Sequence, residues 1–147
     1  MENPKVRVGV AVVIKKNKKV LLGLRKGSHG AGTWAFPGGH LEFGESILDT
    51  AKRELKEETG LSAGKFILGP YTNDLMLNEG KHYITIFVYA EKIRGIPLVK
   101  EAEKCEKWEY FDWDKLPKPL FIPLKNLVKT GKFHPFKKFK NFGIDTK

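Results

Sequence analysis

Residues 39–61 read GHLEFGESILDTAKRELKEETGL, a stretch that admits few conformations. Ser46 and Asp49 form a capping pair, Ile47, Leu48, Ala51 and Leu55 recur at helical spacing, and Gly60 stops the pattern. One amphipathic helix with an apolar stripe to bury is the consequence. Glu54, Glu57 and Glu58 fall at i, i+3 and i+4, so they share one face beside that stripe, at the rim where helix meets loop. Carboxylates this close repel one another and weaken a bare helix. A divalent cation turns the repulsion into attraction, and clustered oxygens are what a hard cation binds. The segment therefore predicts a metal site, although an acidic helix lacking the flanking glycines and Arg53 would be only a solvated face.

The surroundings of this helix alternate between extended and helical patterns. Residues 6–14 are an almost unbroken β-branched run, and 20–24 follow after a polar turn around Asn17, which predicts a hairpin. A Gly- and Ser-rich loop spans 25–33, and a short extended piece at 34–36 is interrupted by Pro37, Gly38 and Gly39. Residues 66–77 and 81–93 predict a second, long hairpin through Asn78, Glu79 and Gly80, with Tyr83, Thr85, Phe87 and Tyr89 on one face. A strand at 108–113, three prolines within 116–123 and a short helix at 124–129 complete an α/β chain.

A length of 147 residues suits one domain, residues 1–147, carrying a basic Phe/Lys-rich tail from about 132. No apolar run approaches the roughly 20 residues a membrane helix needs, and MENPKVRV has neither the apolar stretch nor the cleavage site of a signal peptide. Cys105 is the only cysteine, which excludes an intrachain disulfide and a Cys-built zinc site. A cytoplasmic protein with no membrane partner is expected. The net charge of +10 is mainly lysine and is read as a solubilising surface, so a nucleic-acid partner is not expected. In the tail, Phe133, Phe136, Phe139 and Phe142 interleave with Lys132, Lys137, Lys138 and Lys140, a spacing read as a helical face packed on the domain or on a partner.

Gly39, Glu45, Arg53, Glu54, Leu55, Glu57, Glu58, Gly60 and Leu61 fill every fixed position of G-x5-E-x7-R-E-U-x-E-E-x-G-U, with U a bulky aliphatic residue. The segment resembles the Nudix box of the Nudix hydrolases. Beyond the box, VLLGLRKGSHGAGTWAFPGGHLEFGES and EKCEKWEYFDWDKLPKPLF are similar to animal and plant members that hydrolyse purine, including thiopurine, nucleoside triphosphates. The resemblance implies a mixed central β-sheet sandwiched between helices, and a homodimer. It also implies Mg²⁺, for which Mn²⁺ can substitute, held by Glu54, Glu58, the nearby Glu57 and a backbone carbonyl at Gly38. Glu54, Glu57, Glu58 and Arg53 are then the catalytic set, with Arg53 orienting a glutamate through a bidentate pair and Glu45 completing the metal region or bracing the loop. Glu103 and Glu106 are candidates for a further carboxylate from a loop.

Substrate contacts follow where residues match: Arg25 and His40 toward phosphates and metal, Phe36, Thr85, Phe121 and Leu124 at the base pocket. The chain departs from its relatives at Ala35, where the animal enzyme has glutamine, and at Ile122 and Pro123, where an aromatic and a backbone donor are lost. The function implied is Mg²⁺-dependent cleavage of a nucleoside triphosphate, oxidised or otherwise modified purines included, to monophosphate and diphosphate. Competing readings are a diphosphatase for prenyl diphosphates or nucleotide sugars, and a silent module that binds nucleotide or RNA. His29, His82 and His134 have no partner at ligand spacing and are read as hydrogen-bonded surface residues.

Overall fold

The computed structural model describes residues 4–27, 29–131 and 133–137. Strand β1 (Val6–Lys16) turns at Asn17 and Lys18, with φ of 52° and 62°, into β2 (Lys19–Arg25). Two successive left-handed residues give a reversal whose twist matches that of the strands it joins. β1 touches β2 only at this end, through Lys15↔Val20 and Lys16↔Lys19. Along the rest of its length it runs parallel to β6 (Lys81–Arg94), from Val6↔His82 to Ile14↔Ala90.

β3 (Trp34–Ala35) and β7 (Cys105–Asp112) flank β2, β4 (Gly38–His40) lies antiparallel on β1, and β5 (Ser62–Met76) pairs with β6 as a long antiparallel arm. The sheet order is β3-β2-β1-β6-β5.

Strand alternation divides the core in two. Val10, Val12 and Ile14 of β1, with Val88 and Ala90 of β6, face helix α1 (Ile47–Thr59) and meet its Ala51 and Leu55. Val13, Phe87 and Tyr89 point the other way, toward Leu124 and Leu127 of α2 (Ile122–Lys129), and enclose Trp34, Phe36 and Phe133. Burying a side chain such as Leu55 or Leu127 contributes about 1.5–3 kcal/mol. A mixed sheet with a helix on each face is the arrangement that the sequence resemblance implies.

Three local expectations need correction. The bend at Pro37 is followed by a strand, β4, because the close-packed glycines let backbone lie against β1. α2 begins at Ile122 rather than at 124, since proline is tolerated in a first turn whose N–H has no partner. The tail is not helical where it is described: Phe133 is 6% exposed and stacks on Tyr89, and Lys15 donates to the Pro135 carbonyl at 2.8 Å while lying over the Phe136 ring. Phe139, Phe142, Lys132, Lys138 and Lys140 lie outside the described residues. Among the described residues no helix is long and apolar enough to cross a membrane.

Candidate active site

α1 is capped at both ends: the Asp49 amide donates to Ser46 Oγ at 3.1 Å, and Gly60, at φ 75°, donates to the Lys56 carbonyl at 3.0 Å. This fixes which residues of the helix face β4. The Gly38 amide donates to Glu58 Oε2 at 3.0 Å. A Cβ on Gly39 would collide with the Glu54 carboxylate, and one on Gly38 with the Val10 carbonyl. The two glycines are thus the condition for threading a strand between β1 and an acidic helix face.

Arg53 is the hub of the rim. Its Nε and Nη2 donate to the two oxygens of Glu45 at 2.7 and 2.9 Å, a bidentate pair, and Nη1 donates to Glu54 Oε1 at 2.7 Å. Nη2 also reaches the His40 carbonyl at 3.1 Å, and Nη1 lies 3.4 Å from Glu57 Oε2. Hydrogen bonds from Arg53 and then from Thr50 hold the Glu45 carboxyl down at about 2. Glu45 braces the loop through Arg53, Thr50 and the Glu42 amide and takes no part in the cavity wall.

Glu54 and Glu58 both line the cavity and sit side by side. Burial, then the hydrogen bond and charge of Glu54, push the Glu58 carboxyl up to about 9. Two carboxyl groups sharing one site are a donor set that a dication would satisfy, so the residues fit a hard cation. Among the described residues no three of His, Cys, Asp or Glu converge to cage one by side chains alone. Mg²⁺ requires no such cage, since it keeps waters and takes phosphate oxygens as ligands.

From this rim a cavity of about 590 Å³ runs across the sheet toward α2. In the same cavity the Arg25 guanidinium lies 4.1 Å over the Phe121 ring, and Arg25 Nε donates to the His29 carbonyl at 3.1 Å. Burial lowers the pKa of Arg25, with Glu58 the largest opposing influence. Phe121 is placed by β-type pairing, its amide donating to the Trp34 carbonyl at 2.9 Å. Gly30, at φ 68°, leaves room for the Phe121 ring and the Arg25 guanidinium, because a Cβ there would come within 2.7 Å of Phe121 and 3.0 Å of Arg25 Nε. Part of the lining is apolar: Phe36 stands edge-on to Phe87 at 6.1 Å, and Met76, Trp108 and Leu124 also line the cavity.

The structure brings Arg25, Phe36, Gly38, His40, Glu54, Glu58, Thr85, Glu103, Phe121 and Leu124 to one cavity wall. Glu57 is set apart, its side chain 52% exposed on the solvent side of Arg53. Glu106 is exposed at the start of β7 and outside the wall; Cys105 occupies the cavity side there, because strand alternation turns its neighbour outward. His29 joins the wall while bonded to Glu79 at 2.8 Å, and His82 and His134 pair with Asn73 and Asp114 away from it. Sequence reasoning missed Tyr83, Met76 and Trp108. Tyr83 shares the alternation of Thr85 and Phe87 and could have been found by it, as could Trp108 on β7; Met76 carries no such signal.

The NUDIX domain model matches residues 4–130. The chain is 37% identical over 115 residues to an ADP-ribose pyrophosphatase of Methanocaldococcus jannaschii, covering 78% of this chain and 66% of that protein. It is 35% identical over 112 residues to the oxidized purine nucleoside triphosphate hydrolase of Mus musculus, covering 76% and 69%. The crystal structure of a MutT NUDIX hydrolase from Burkholderia pseudomallei superposes with a TM-score of 0.77 at 29% identity, covering 84% of this chain and 98% of that one. The chain therefore spans about two thirds of the length of the first two relatives. It belongs to this family, the Nudix hydrolases.

Proposed function

We propose that the protein is a Mg²⁺-dependent hydrolase that cleaves nucleoside triphosphates to the monophosphate and diphosphate, with oxidised or otherwise modified purines among its substrates. The observation that carries this reading is one cavity lined by Glu54 and Glu58, by the Arg25 guanidinium and by an apolar, aromatic stretch, with a volume that suits a nucleobase. A Mg²⁺ ion held by Glu54 and Glu58 would neutralise the diphosphate and acidify water. Arg53 fixes the Glu54 carboxylate by a charge-assisted hydrogen bond, so the ligand geometry is set before substrate arrives. Arg25 binds phosphate oxygens in the same cavity, its guanidinium held 4.1 Å over the Phe121 ring. One carboxylate of the cluster takes the proton of the attacking water, water oxygen adds to one phosphorus, and the bridging P–O bond breaks.

The apolar interior also favours a second reading, a diphosphatase for prenyl diphosphates or nucleotide sugars, and the name of the archaeal relative adds ADP-ribose to that class. The lone, buried Cys105 supports a reducing, cytoplasmic setting. Exposed Tyr71, Leu75 and Leu77 at the outer arm of the sheet support a homodimer, to be checked by sedimentation. Incubation with Mg²⁺ and a panel of triphosphates, ADP-ribose and geranyl diphosphate, following the phosphorus products, separates the readings. Turnover of triphosphates with release of diphosphate is expected; preferential turnover of geranyl diphosphate or ADP-ribose would replace the first reading with the second.

A further inference from the structure

At the inner part of the cavity one polar group is held from behind. Thr85, 5% exposed, lines the cavity beside Gly9, its partner across β1 and β6. Its Oγ1 lies 3.8 Å from where a side chain on Gly9 would begin. Behind it on β5 lies Asp74, at 0% exposure. Asp74 Oδ2 accepts the Thr85 hydroxyl at 2.5 Å and the Thr72 hydroxyl at 3.1 Å, and Oδ1 accepts Asn126 Nδ2, from α2, at 2.9 Å. Three donors from three elements converge on one carboxylate, which is how a buried acidic group is made tolerable.

A threonine hydroxyl has one proton and two lone pairs. Here the proton is committed to Asp74, and a hydrogen bond to a carboxylate is stronger than one to a neutral ligand. Toward the cavity Thr85 therefore presents lone pairs alone. Phe36, Met76, Phe87 and Leu124, which share the interior, have no side-chain group to make a compensating strong hydrogen bond.

We propose that Asp74 makes Thr85 a one-way acceptor, so that the cavity selects a nucleobase presenting an N–H donor at this point and rejects one presenting an acceptor. Asp74 is a positioning residue: it acts through Thr85 and does not touch the ligand. The inference rests on the nucleotide reading given above and deepens it.

The test is a comparison of kcat/KM within pairs of triphosphates that differ in one donor. GTP against ITP changes the exocyclic 2-amino group, ATP against purine riboside triphosphate changes the 6-amino group, and 8-oxo-dGTP against dGTP changes a ring N–H into an acceptor. The native protein should favour the donor-bearing member of at least one pair by about tenfold or more, because a buried acceptor left unpaired is costly. Thr85→Val should bring that ratio within about threefold, while Thr85→Ser, which keeps the hydroxyl and its bond to Asp74, should retain it. Asp74→Asn can donate to Thr85 and free the hydroxyl proton, so the ratio should fall to near one or invert. Should Asp74→Asn fail to fold, the two Thr85 variants decide. Ratios in Thr85→Val equal to those of the native protein, or no preference by the native protein in any pair, would overturn the inference and leave triphosphate hydrolysis standing. Absence of turnover of every triphosphate would instead remove the function on which it rests.

Discussion

The two faces of the sheet are held by different forces. On the α1 side the rim is a charge network: Arg53 binds Glu45, Glu54 and the His40 carbonyl at distances of 2.7 to 3.1 Å, and the glycines of β4 bring backbone against the same carboxylates. On the α2 side most contacts are apolar and aromatic, from Phe36, Phe87, Leu124 and Leu127 to Phe133, with Asp74 and its three donors as the buried polar exception. A charge network at a rim is stiff in geometry but contributes little net stability, because exposed ion pairs give back most of their Coulomb energy to solvent. An apolar face contributes stability through close packing. On the proposed function, cation chemistry falls to the charged rim and base recognition to the other face.

Substitutions should separate the two. Leu127→Ala, at a residue 1% exposed, is expected to cost about 2–5 kcal/mol in denaturant unfolding while leaving the metal dependence of turnover as it was. Glu58→Gln should do the reverse, lowering the rate by at least about tenfold with the fold retained by circular dichroism. Glu57→Gln should be the milder of the two, since Glu57 stands outside the cavity wall; equal losses would place Glu57 beside Glu54 and Glu58 when substrate is bound. Ser46→Ala removes the N-cap and is expected to cost about 1 kcal/mol of stability.

The smallest effect concerns acid. Glu45 has a folded pKa of about 2, below its unfolded value, so its contribution is present above about pH 4.3 and lost as pH falls toward 2. Glu45→Gln should flatten that part of the acid-unfolding curve, and an unchanged curve would mean that Arg53 does not hold Glu45 in solution.

The same contrast explains what could be read in advance. The rim was legible because its groups are neighbours in sequence: Glu45, Arg53, Glu54 and Glu58 lie on one helix and its leading loop, where spacing dictates geometry. Glu57 shares that spacing, and its side chain stands 52% exposed, 3.4 Å from Arg53 Nη1. The cavity interior draws on β1, β5, β6, β7 and α2 at once, and no local pattern encodes that meeting. Asp74 shows the difference most plainly: in sequence it is one acidic residue in a polar stretch, and only the pairing of β5 with β6 and the docking of α2 bring Thr72, Thr85 and Asn126 to its oxygens. In the tail, the described stretch 133–137 packs Phe133 on the domain as its aromatic spacing implies, but on irregular backbone rather than on a helix.

The parallel pairing of β1 with β6 has a consequence for how the chain acquires this structure. The two hairpins, β1 with β2 and β5 with β6, close short loops and can form early, whereas β1 meets β6 only when the stretch carrying α1 has been looped out between them. Non-local pairing of this kind makes folding slow relative to its stability. The acidic helix lies within that looped-out stretch. A chain stalled at that step would hold two intact hairpins and no cavity, with the Phe87 and Tyr89 face of β6 open to whatever apolar surface it met first.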